Sequence, residues 1–336
     1  MSGEPEVLFE RRGPVGLITL NRPKALNALN MSMAQAINLQ MKKWAHDASV
    51  QVVVIIGAGE RAFCAGGDIR ATVDAAKRND PYAHDFFHHE YILNTAIKEY
   101  KKPYIALIHG ICMGGGVGLS VHGRIRVVCE TTLFAMPETG IGFYPDVGGS
   151  YFLPRLPGQI GTYLALTGNR LKSPDLIYAG IATHHAPYAR FPAILDALTG
   201  GGAPDETLSR FVTDAGEPTL PAIRERIDRA FAHHTVEAII DALKNEGEWG
   251  EQTASLLLTK SPTSMKITLR QMHEGAKLSF EECMRMELRL STRFAHLPDF
   301  HEGVRAAIVD KDQKPKWNPA TLAEISDADV ARFFAP

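Results

Sequence analysis

Three consecutive glycines inside an apolar stretch constrain this 336-residue chain more than any other feature. Tyr104–Ile108 is an apolar run, and Gly114–Gly116 follow it shortly before a second apolar stretch. This pattern predicts a strand that turns sharply into a helix. Because glycine lacks a Cβ, the backbone at such a corner can take positive φ and approach a ligand, and the first N–H groups of the helix point outward. The corner therefore predicts a site that accepts negative charge on oxygen.

A second corner with the same pattern lies earlier in the chain. The predicted strand at residues 52–56 leads through a loop to Gly66 and Gly67, and a helix is expected to start near Asp68. Two such corners could each donate one backbone N–H to the same oxygen and form an oxyanion hole, in which one donor is worth on the order of 10² to 10³ in rate. Ordinary tight turns are the simpler explanation for either corner alone.

A third stretch, residues 137–149, contains two acids, Glu138 and Asp146, among four glycines. With residues 21–29, 63–69 and 114–116, this stretch resembles the crotonase (enoyl-CoA hydratase/isomerase) superfamily. Within the superfamily, the chain most resembles the 3-hydroxyisobutyryl-CoA hydrolase branch, and this resemblance covers nearly the whole chain. It implies an α/β fold, a crotonase-like spiral of stacked β-β-α units with a mostly helical C-terminal region. The stretches that resemble the hydrolase branch are residues 109–123, 134–138, 145–156, 261–264 and 300–311.

The composition of the chain changes around Gly200–Pro204, where three glycines precede a proline. We therefore predict a core domain over residues 1–200 that carries the CoA and oxyanion sites, and a helical C-terminal region over residues 201–336. The resemblance implies that residues from about 190 to 255 form an insertion typical of the hydrolase branch. Helices are predicted near residues 205–213, 221–232, 235–245, 248–259, 262–274 and 279–294.

The resemblance implies catalytic roles for four residues. Gly67 and Gly115 supply the oxyanion-hole N–H groups for the thioester carbonyl, and Glu138 and Asp146 supply the carboxylates. From the residues themselves, a carboxylate at a strand end beside apolar side chains is expected to have a raised pKa and to act as base or nucleophile. The alternative for Asp146 is an N-cap of a helix that starts at residue 147, and one residue could serve both roles.

The resemblance also implies substrate-binding residues, which we predict to line the CoA and acyl portions of the substrate. For Asp68, the alternative is an N-cap of the following helix. His84 and His88 are spaced like a metal pair, but no third ligand is evident, so no metal is predicted. The predicted substrate-binding residues are Glu90, Lys24, Ala25, Leu26, Ala65, Asp68 and Ile69.

One departure separates the members of this superfamily. Hydratases carry a second glutamate just after the glycine triplet, where this chain has Gly118, and a glycine where this chain has Asp146. We therefore predict a thioesterase for a short 3-hydroxyacyl-CoA, in particular 3-hydroxyisobutyryl-CoA of valine breakdown. The alternatives are an enoyl-CoA hydratase or isomerase and, from another class, an acyl-CoA-binding protein or assembly subunit with little turnover.

Composition narrows the partners. A net charge of −2 without a basic run argues against nucleic acid, and no apolar run approaches the length of a membrane span. The four cysteines form no CxxC motif, which favours a reducing compartment. Because residues 1–6 have no apolar leader core, a cytoplasmic location is expected. The expected partner is an acyl-CoA substrate. Coenzyme A is part of that substrate, so no separate cofactor is expected. The sequence leaves open whether the chain forms a homo-oligomer.

Overall fold

The computed structural model describes residues 4–335. The N-terminal stretch that served for the prediction of location, residues 1–6, therefore lies partly outside the described residues. The chain packs as two compact units. Unit 1 comprises the described part of Met1–Gly67, Ile92–Phe134 and Arg170–Thr219, and unit 2 comprises Asp68–Tyr91, Ala135–Asn169 and the described part of Leu220–Pro336. Each unit is assembled from three chain segments, so this division differs from the predicted boundary at residue 200, which stays a prediction.

Nine strands form two sheets in the described part of the chain. In the larger sheet, β1 and β2 form an antiparallel hairpin, and every later neighbour pairs in parallel, in the order β1-β2-β3-β5-β7-β9. The smaller sheet has the order β4-β6-β8. The strands are β1 Val7–Arg12, β2 Val15–Leu20, β3 Val52–Gly57, β4 Ala62–Cys64, β5 Tyr104–Ile108, β6 Ile111–Met113, β7 Ile125–Val128, β8 Leu133–Ala135 and β9 His184–His185.

The parallel strands read as continuous apolar runs because both of their faces are covered. In β3, Val52, Val53, Val54 and Ile55 are all buried. One face packs into a cluster of buried residues that includes Val54 and Leu107 of the sheet with Ile194 and Leu198 of a later helix. The sequence pattern predicts the glycine corners after β3 and β5. In the structure, the short strands β4 and β6 of the smaller sheet lie between those strands and the corners.

Sixteen α-helices occur between residues 4 and 335, and all six helices predicted beyond residue 204 are confirmed. No strand follows β9 within that range. The helices are α1 Met31–His46, α2 Ile69–Lys77, α3 Tyr82–Lys98, α4 Gly115–Gly118, α5 Gly149–Phe152, α6 Ile160–Thr167, α7 Ser173–Tyr178, α8 Phe191–Thr199, α9 Pro204–Ser209, α10 Leu220–Ala230, α11 Val236–Leu243, α12 Gly247–Leu257, α13 Pro262–Gly275, α14 Phe280–Phe294, α15 Pro298–Val304 and α16 Asp327–Phe334.

Side-chain caps explain where several helices begin. Asn30 Oδ1 accepts the N–H of Met33 at 2.9 Å at the start of α1, and Asp80 Oδ1 accepts the N–H of Tyr82 at 2.9 Å at the start of α3. A capping box between Ser279 and Glu282 begins α14. Among the described helices, none is both long and apolar enough to span a membrane.

Candidate active site

The two glycine corners lie in unit 1 and follow neighbouring parallel strands. β4 and β6 pair in parallel, with Cys64 opposite Cys112. Parallel neighbours end at the same edge of a sheet, so the turn at Ala65–Gly67 and the turn at Gly114 leave that sheet side by side. The sheet therefore brings together two corners that are about 50 residues apart in the sequence.

The packing between the two corners leaves no room for a side chain. A Cβ on Gly116 would lie 2.2 Å from the carbonyl oxygen of Cys64, so α4 contacts the backbone of the first corner directly. Gly66 has φ +127° and Gly114 has φ +47°, conformations that favour glycine. Glycine is therefore required here for close approach and for backbone conformation.

Gly67 and Gly115 present backbone N–H groups at these corners. α4 begins at Gly115, so this N–H is among the first helical donors, which have no acceptor within their own helix. The bridge between Leu29 and Gly67 uses the N–H of Leu29 and the carbonyl of Gly66 at 2.9 Å, and leaves the N–H of Gly67 out of that bond. The geometry fits a pair of oxyanion donors, and their catalytic role stays a prediction.

Part of the predicted CoA-binding stretch lies beside the first corner. The N–H of Ala65 donates to the carbonyl of Leu26 at 3.0 Å, so these two predicted residues are adjacent in unit 1. Pro23–Ala25 forms a short 3₁₀ turn in which Lys24 and Ala25 are exposed. The residue that follows this exposed turn, Leu26, thus connects it to the glycine corner by one backbone hydrogen bond. Contacts of these residues with CoA stay predictions.

Asn27 organises this region and was not predicted as a functional residue. Its fully buried side chain donates from Nδ2 to the carbonyls of Ala58 at 3.0 Å and Ala62 at 2.9 Å, and its Oδ1 accepts the N–H of Arg22 at 3.0 Å. Asn27 has φ +57°, which asparagine tolerates better than most residues. A buried asparagine inside an apolar stretch was the available signal.

Unit 2 contains a cluster of four buried carboxyl groups. Glu90 lies on α3, Glu138 begins a 3₁₀ turn after β8, Asp146 lies in the loop before α5, and Glu287 lies on α14. None is more than 6% exposed. The structure thus brings together the three acids predicted from sequence, with Glu287 as a fourth.

Burial raises the pKa of every carboxyl group in this cluster, because a charged carboxylate is poorly solvated there. For Glu138 and Glu90 the pKa lies well above its usual range, through burial first and then through the neighbouring Asp146. Burial raises the pKa of Asp146 to about 7, against a hydrogen bond from Tyr91 that lowers it. Burial also raises the pKa of Glu287 to about 8. The prediction of a raised pKa at Glu138 is consistent with these directions.

Two carboxyl oxygens in the cluster lack a hydrogen-bond donor within the described part of the chain. Glu90 Oε1 and Glu138 Oε2 are buried and accept no hydrogen bond from the residues that the structure describes. Phe143 packs close by in the chain, stacked on Phe87 at 5.5 Å between ring centroids and beside Tyr144 at 4.7 Å. Buried acceptors beside aromatic rings can receive a proton or a hydroxyl hydrogen bond from a ligand.

Asp146 does not cap a helix, which corrects the alternative interpretation of this residue. α5 begins at Gly149, after Gly148, rather than at residue 147. The Asp146 side chain instead accepts a hydrogen bond from the Tyr91 hydroxyl at Oδ2, 2.7 Å away. The Tyr91 hydroxyl also contacts the Ser291 hydroxyl, and neither residue was predicted from sequence.

Glu287 is the largest omission of the sequence analysis. Its Oε2 accepts the N–H of Gly148 at 2.7 Å, and its Oε1 accepts the N–H of Ser150 at 2.9 Å together with the Ser150 hydroxyl. A signal was present, because Glu287 and Ser291 fall on the stripe of α14 that is otherwise filled by buried residues such as Cys283 and Leu290. A carboxylate on such a stripe must have partners.

The remaining predicted positions lie elsewhere in unit 2. Asp68 occupies the N-cap position of α2, as the alternative predicted, but its side chain makes no capping hydrogen bond. Asp68 and Ile69 are partly buried, and their CoA contacts stay predictions. His84 and His88 are exposed and stack at 5.9 Å. Within residues 4–335 no three His, Cys, Asp or Glu side chains gather as a metal site would require.

The chain is similar to several known proteins over nearly its whole length. A family model described as "Enoyl-CoA hydratase/isomerase" matches residues 15–334. The curated protein "3-hydroxyisobutyryl-CoA hydrolase, mitochondrial" of Danio rerio is 50% identical over 341 aligned residues, which cover 98% of this chain and 89% of that protein.

Two solved structures are similar over nearly their full lengths. A carnitinyl-CoA dehydratase from Mycobacterium thermoresistibile is 42% identical with a TM-score of 0.95, covering 98% of this chain and 96% of that one. An enoyl-CoA hydratase from Rhodobacter sphaeroides 2.4.1 is 38% identical with a TM-score of 0.92, covering 99% and 98%. These likenesses confirm the α/β, crotonase-like fold expected from the sequence.

The expected cytoplasmic location is wrong by the same comparisons. The Danio rerio relative, at 50% identity over 98% of this chain, is named as mitochondrial. The expectation depended on the composition of a few N-terminal residues, which is a weaker basis than identity over the whole chain.

Proposed function

The chain belongs to the enoyl-CoA hydratase/isomerase family, and we propose that it hydrolyses 3-hydroxyisobutyryl-CoA to CoA and 3-hydroxyisobutyrate, a step of valine breakdown. The observation that carries this proposal is the burial of Glu138 and Asp146 in one carboxyl cluster of unit 2, combined with Gly118 at the position where a hydratase needs a second glutamate. The 50% identity to a curated hydrolase supports the same substrate.

In the proposed reaction, the N–H groups of Gly67 and Gly115 stabilise negative charge on the thioester carbonyl oxygen. Glu138 in its ionised form either attacks the carbonyl carbon, or removes a proton from the water that attacks it. The C–S bond then breaks and CoA leaves as a thiolate that takes up a proton. On the first route, water hydrolyses the acyl-Glu138 anhydride and regenerates the carboxylate.

The raised pKa of Glu138 supports either role. Burial and the neighbouring Asp146 destabilise the charged form, so the ionised carboxylate is a stronger base than an exposed glutamate. Its Oε2 accepts no hydrogen bond from the described residues, which leaves this oxygen able to react. A carboxylate held by several donors would be a weaker base.

Asp146 and Glu90 are proposed to hold the substrate hydroxyl. Asp146 Oδ2 already accepts the Tyr91 hydroxyl, and a carboxylate has two oxygens that accept hydrogen bonds. Glu90 Oε1 is buried without a donor from the described residues. Buried acceptors of this kind favour substrates that bring a hydroxyl, because a plain acyl chain would leave them unpaired.

A hydratase or isomerase is the competing function, because the two similar solved structures are of a carnitinyl-CoA dehydratase and an enoyl-CoA hydratase, at 42% and 38% identity. Hydration of an enoyl-CoA by the two-glutamate mechanism needs a proton carrier at both positions, and Gly118 has no side chain. The presence of Asp146 is consistent with a different placement of acid groups.

The deciding experiment measures free thiol release from 3-hydroxyisobutyryl-CoA and 3-hydroxypropionyl-CoA, with an enoyl-CoA of similar length as the competing substrate. We expect thiol release from both hydroxylated substrates, unaffected by a metal chelator and without a nicotinamide cofactor. The Glu138→Gln protein serves as the inactive control. Absence of thiol release, with hydration or double-bond migration of the enoyl-CoA, would refute the hydrolase and favour the competing function.

A further inference from the structure

Helix α14 places two polar side chains, Glu287 and Ser291, on the same buried face. They are four residues apart, and both are fully buried. Buried polar groups need partners, and the partners of both side chains lead to Asp146. Neither has a role in the chemical steps proposed above.

Glu287 holds the chain on the C-terminal side of Asp146. It accepts the N–H groups of Gly148 and Ser150, which are donors at the start of α5 without acceptors inside the helix. The position before α5 is Gly148, which has no side chain to cap it. The carboxylate of a distant helix therefore does what a local N-cap residue does in most helices.

The backbone held in this way is strained. Val147, directly after Asp146, is buried and has φ +51°, which is an outlier for a β-branched residue. Such conformations persist where surrounding contacts force them. On the N-terminal side of Asp146, the buried Gln271 donates from Nε2 to the carbonyl of Pro145 at 2.6 Å. The loop is thus bonded on both sides of Asp146.

Ser291 acts on the side chain of Asp146 through Tyr91. Its hydroxyl contacts those of Tyr91 and, at 2.6 Å, Tyr144, which donates to the Glu287 carbonyl at 2.6 Å. The two tyrosine hydroxyls also hydrogen-bond each other, and Tyr91 donates to Asp146 Oδ2. The Ser291 hydroxyl therefore contacts both tyrosines of the network that binds Asp146.

We propose that Glu287 and Ser291 are positioning residues for Asp146: Glu287 fixes the strained backbone that carries it, and Ser291 orients the Tyr91 hydroxyl that binds its carboxylate. This inference rests on one part of the proposed function, namely that Asp146 recognises the substrate hydroxyl. The titratable groups that interact with Asp146 are Tyr91, Tyr144, Glu90, Glu138 and Glu287.

Two measurements test the proposal. The first is the ratio of kcat/KM for 3-hydroxypropionyl-CoA to that for propionyl-CoA, in Glu287→Gln, Ser291→Ala and the wild type. The second is the titration of Asp146 by NMR with ¹³C-labelled aspartate, its signal assigned by its loss in Asp146→Asn. Leu290→Ala is the matched control, because Leu290 is a fully buried residue of α14 outside the hydrogen-bond network.

We expect Glu287→Gln to lower the ratio about 10-fold or more, because the glutamine amide would place a donor against one of the two N–H groups. Ser291→Ala should lower it about threefold and raise the pKa of Asp146, in the same direction as Tyr91→Phe, for which a shift of about one unit is expected. Leu290→Ala should lower Tm and leave the ratio and the titration unchanged.

Each variant tests the positioning role of the residue that it replaces. A folded Glu287→Gln protein with an unchanged ratio, or a fall equal to that of Leu290→Ala, would overturn the role of Glu287. An unchanged Asp146 titration in Ser291→Ala would overturn the role of Ser291. Should Glu287→Gln not fold, Ser150→Ala, which removes only one of the bonds to Glu287, replaces it with the same expected direction. If the wild type releases no thiol, the proposed function fails, whereas the titration still tests the positioning.

Discussion

The glycine corners of unit 1 and the carboxyl cluster of unit 2 provide chemistry in opposite ways. The corners offer backbone N–H groups, which do not titrate, and their geometry is set by strand pairing and by contacts that exclude a Cβ. The cluster offers side-chain carboxyl groups, whose charge depends on burial and on one another. The function of the glycine corners should therefore not depend on pH but should be lost when a side chain is added. The function of the carboxyl cluster should depend on pH and respond less to added volume.

The two regions place different demands on the rest of the fold. A glycine corner needs a backbone that folds unambiguously, and an added methyl group is enough to disturb it. A buried carboxyl cluster needs surrounding donors, and it destabilises the fold when its members ionise. Four predictions test this contrast, from the largest expected effect to the smallest.

Glu138→Gln should reduce kcat by two or more orders of magnitude with little change in KM. Glutamine has nearly the same shape but can act neither as base nor as nucleophile, so the loss belongs to the chemical step. Steady-state kinetics on 3-hydroxyisobutyryl-CoA measures it. If the variant retained activity, Glu138 would have no part in the mechanism.

Gly116→Ala should reduce kcat/KM about 100-fold on hydroxylated and plain substrates alike, because the new Cβ displaces a corner that is proposed to hold an oxyanion donor. The pH at half-maximal activity should not move. Gly200→Ala is the control, since Gly200 has φ −69° and its nearest neighbour would lie at an ordinary 3.4 Å. A shifted pH profile in Gly116→Ala would break the contrast between the regions.

Asp146→Asn and Asp146→Gly should lower kcat/KM about 10- to 100-fold on 3-hydroxypropionyl-CoA and far less on propionyl-CoA. Asparagine keeps a hydrogen-bond acceptor without the charge, and glycine restores the residue of a hydratase. The ratio of kcat/KM for the two substrates is the measurement. Equal losses on both substrates would make Asp146 a general proton carrier rather than the residue that selects the hydroxyl.

The smallest effect expected is on stability. Because burial raises the pKa of Asp146 from 3.8 to about 7, the folded state holds its proton through a range in which the unfolded state has lost it. The stability that this protonated carboxyl retains at low pH is lost as pH rises through about 7, by about 1–3 kcal/mol. Urea unfolding at pH 5 and pH 8 should therefore show a decline in the wild type that is smaller in Asp146→Asn. Equal declines would contradict the assignment.

Catalysis through ionised Glu138 and the stability of unit 2 thus favour opposite ends of the pH range. Ionisation of the cluster activates the proposed base and at the same time charges groups that burial disfavours. The glycine corners take no part in this opposition.

Several elements could be predicted because their signals are local. Asn30 and Asp80 cap helices through bonds to residues two or three positions later, and the six C-terminal helices follow from apolar periodicity and start signals. The glycine corners were predictable for the same reason. The network around Asp146 was not predictable. Tyr91 lies 55 residues from Asp146, to which it donates, and Ser291 lies 200 residues from Tyr91, which it contacts.

Sequence alone predicts the helices beyond residue 204, the need for glycine at two corners, the family, and the candidate acids Glu90, Glu138 and Asp146. It does not predict the short strands β4 and β6, which the glycine corners follow. Only the tertiary structure decided that Asp146 accepts a hydroxyl instead of capping a helix, that Glu287 caps α5 from 137 residues away, and that the pKa of Asp146 is raised to about 7. The physical reason is that periodicity, caps and turns depend on neighbours within a few residues, whereas burial and hydrogen-bond partners depend on segments that meet only when the chain is folded.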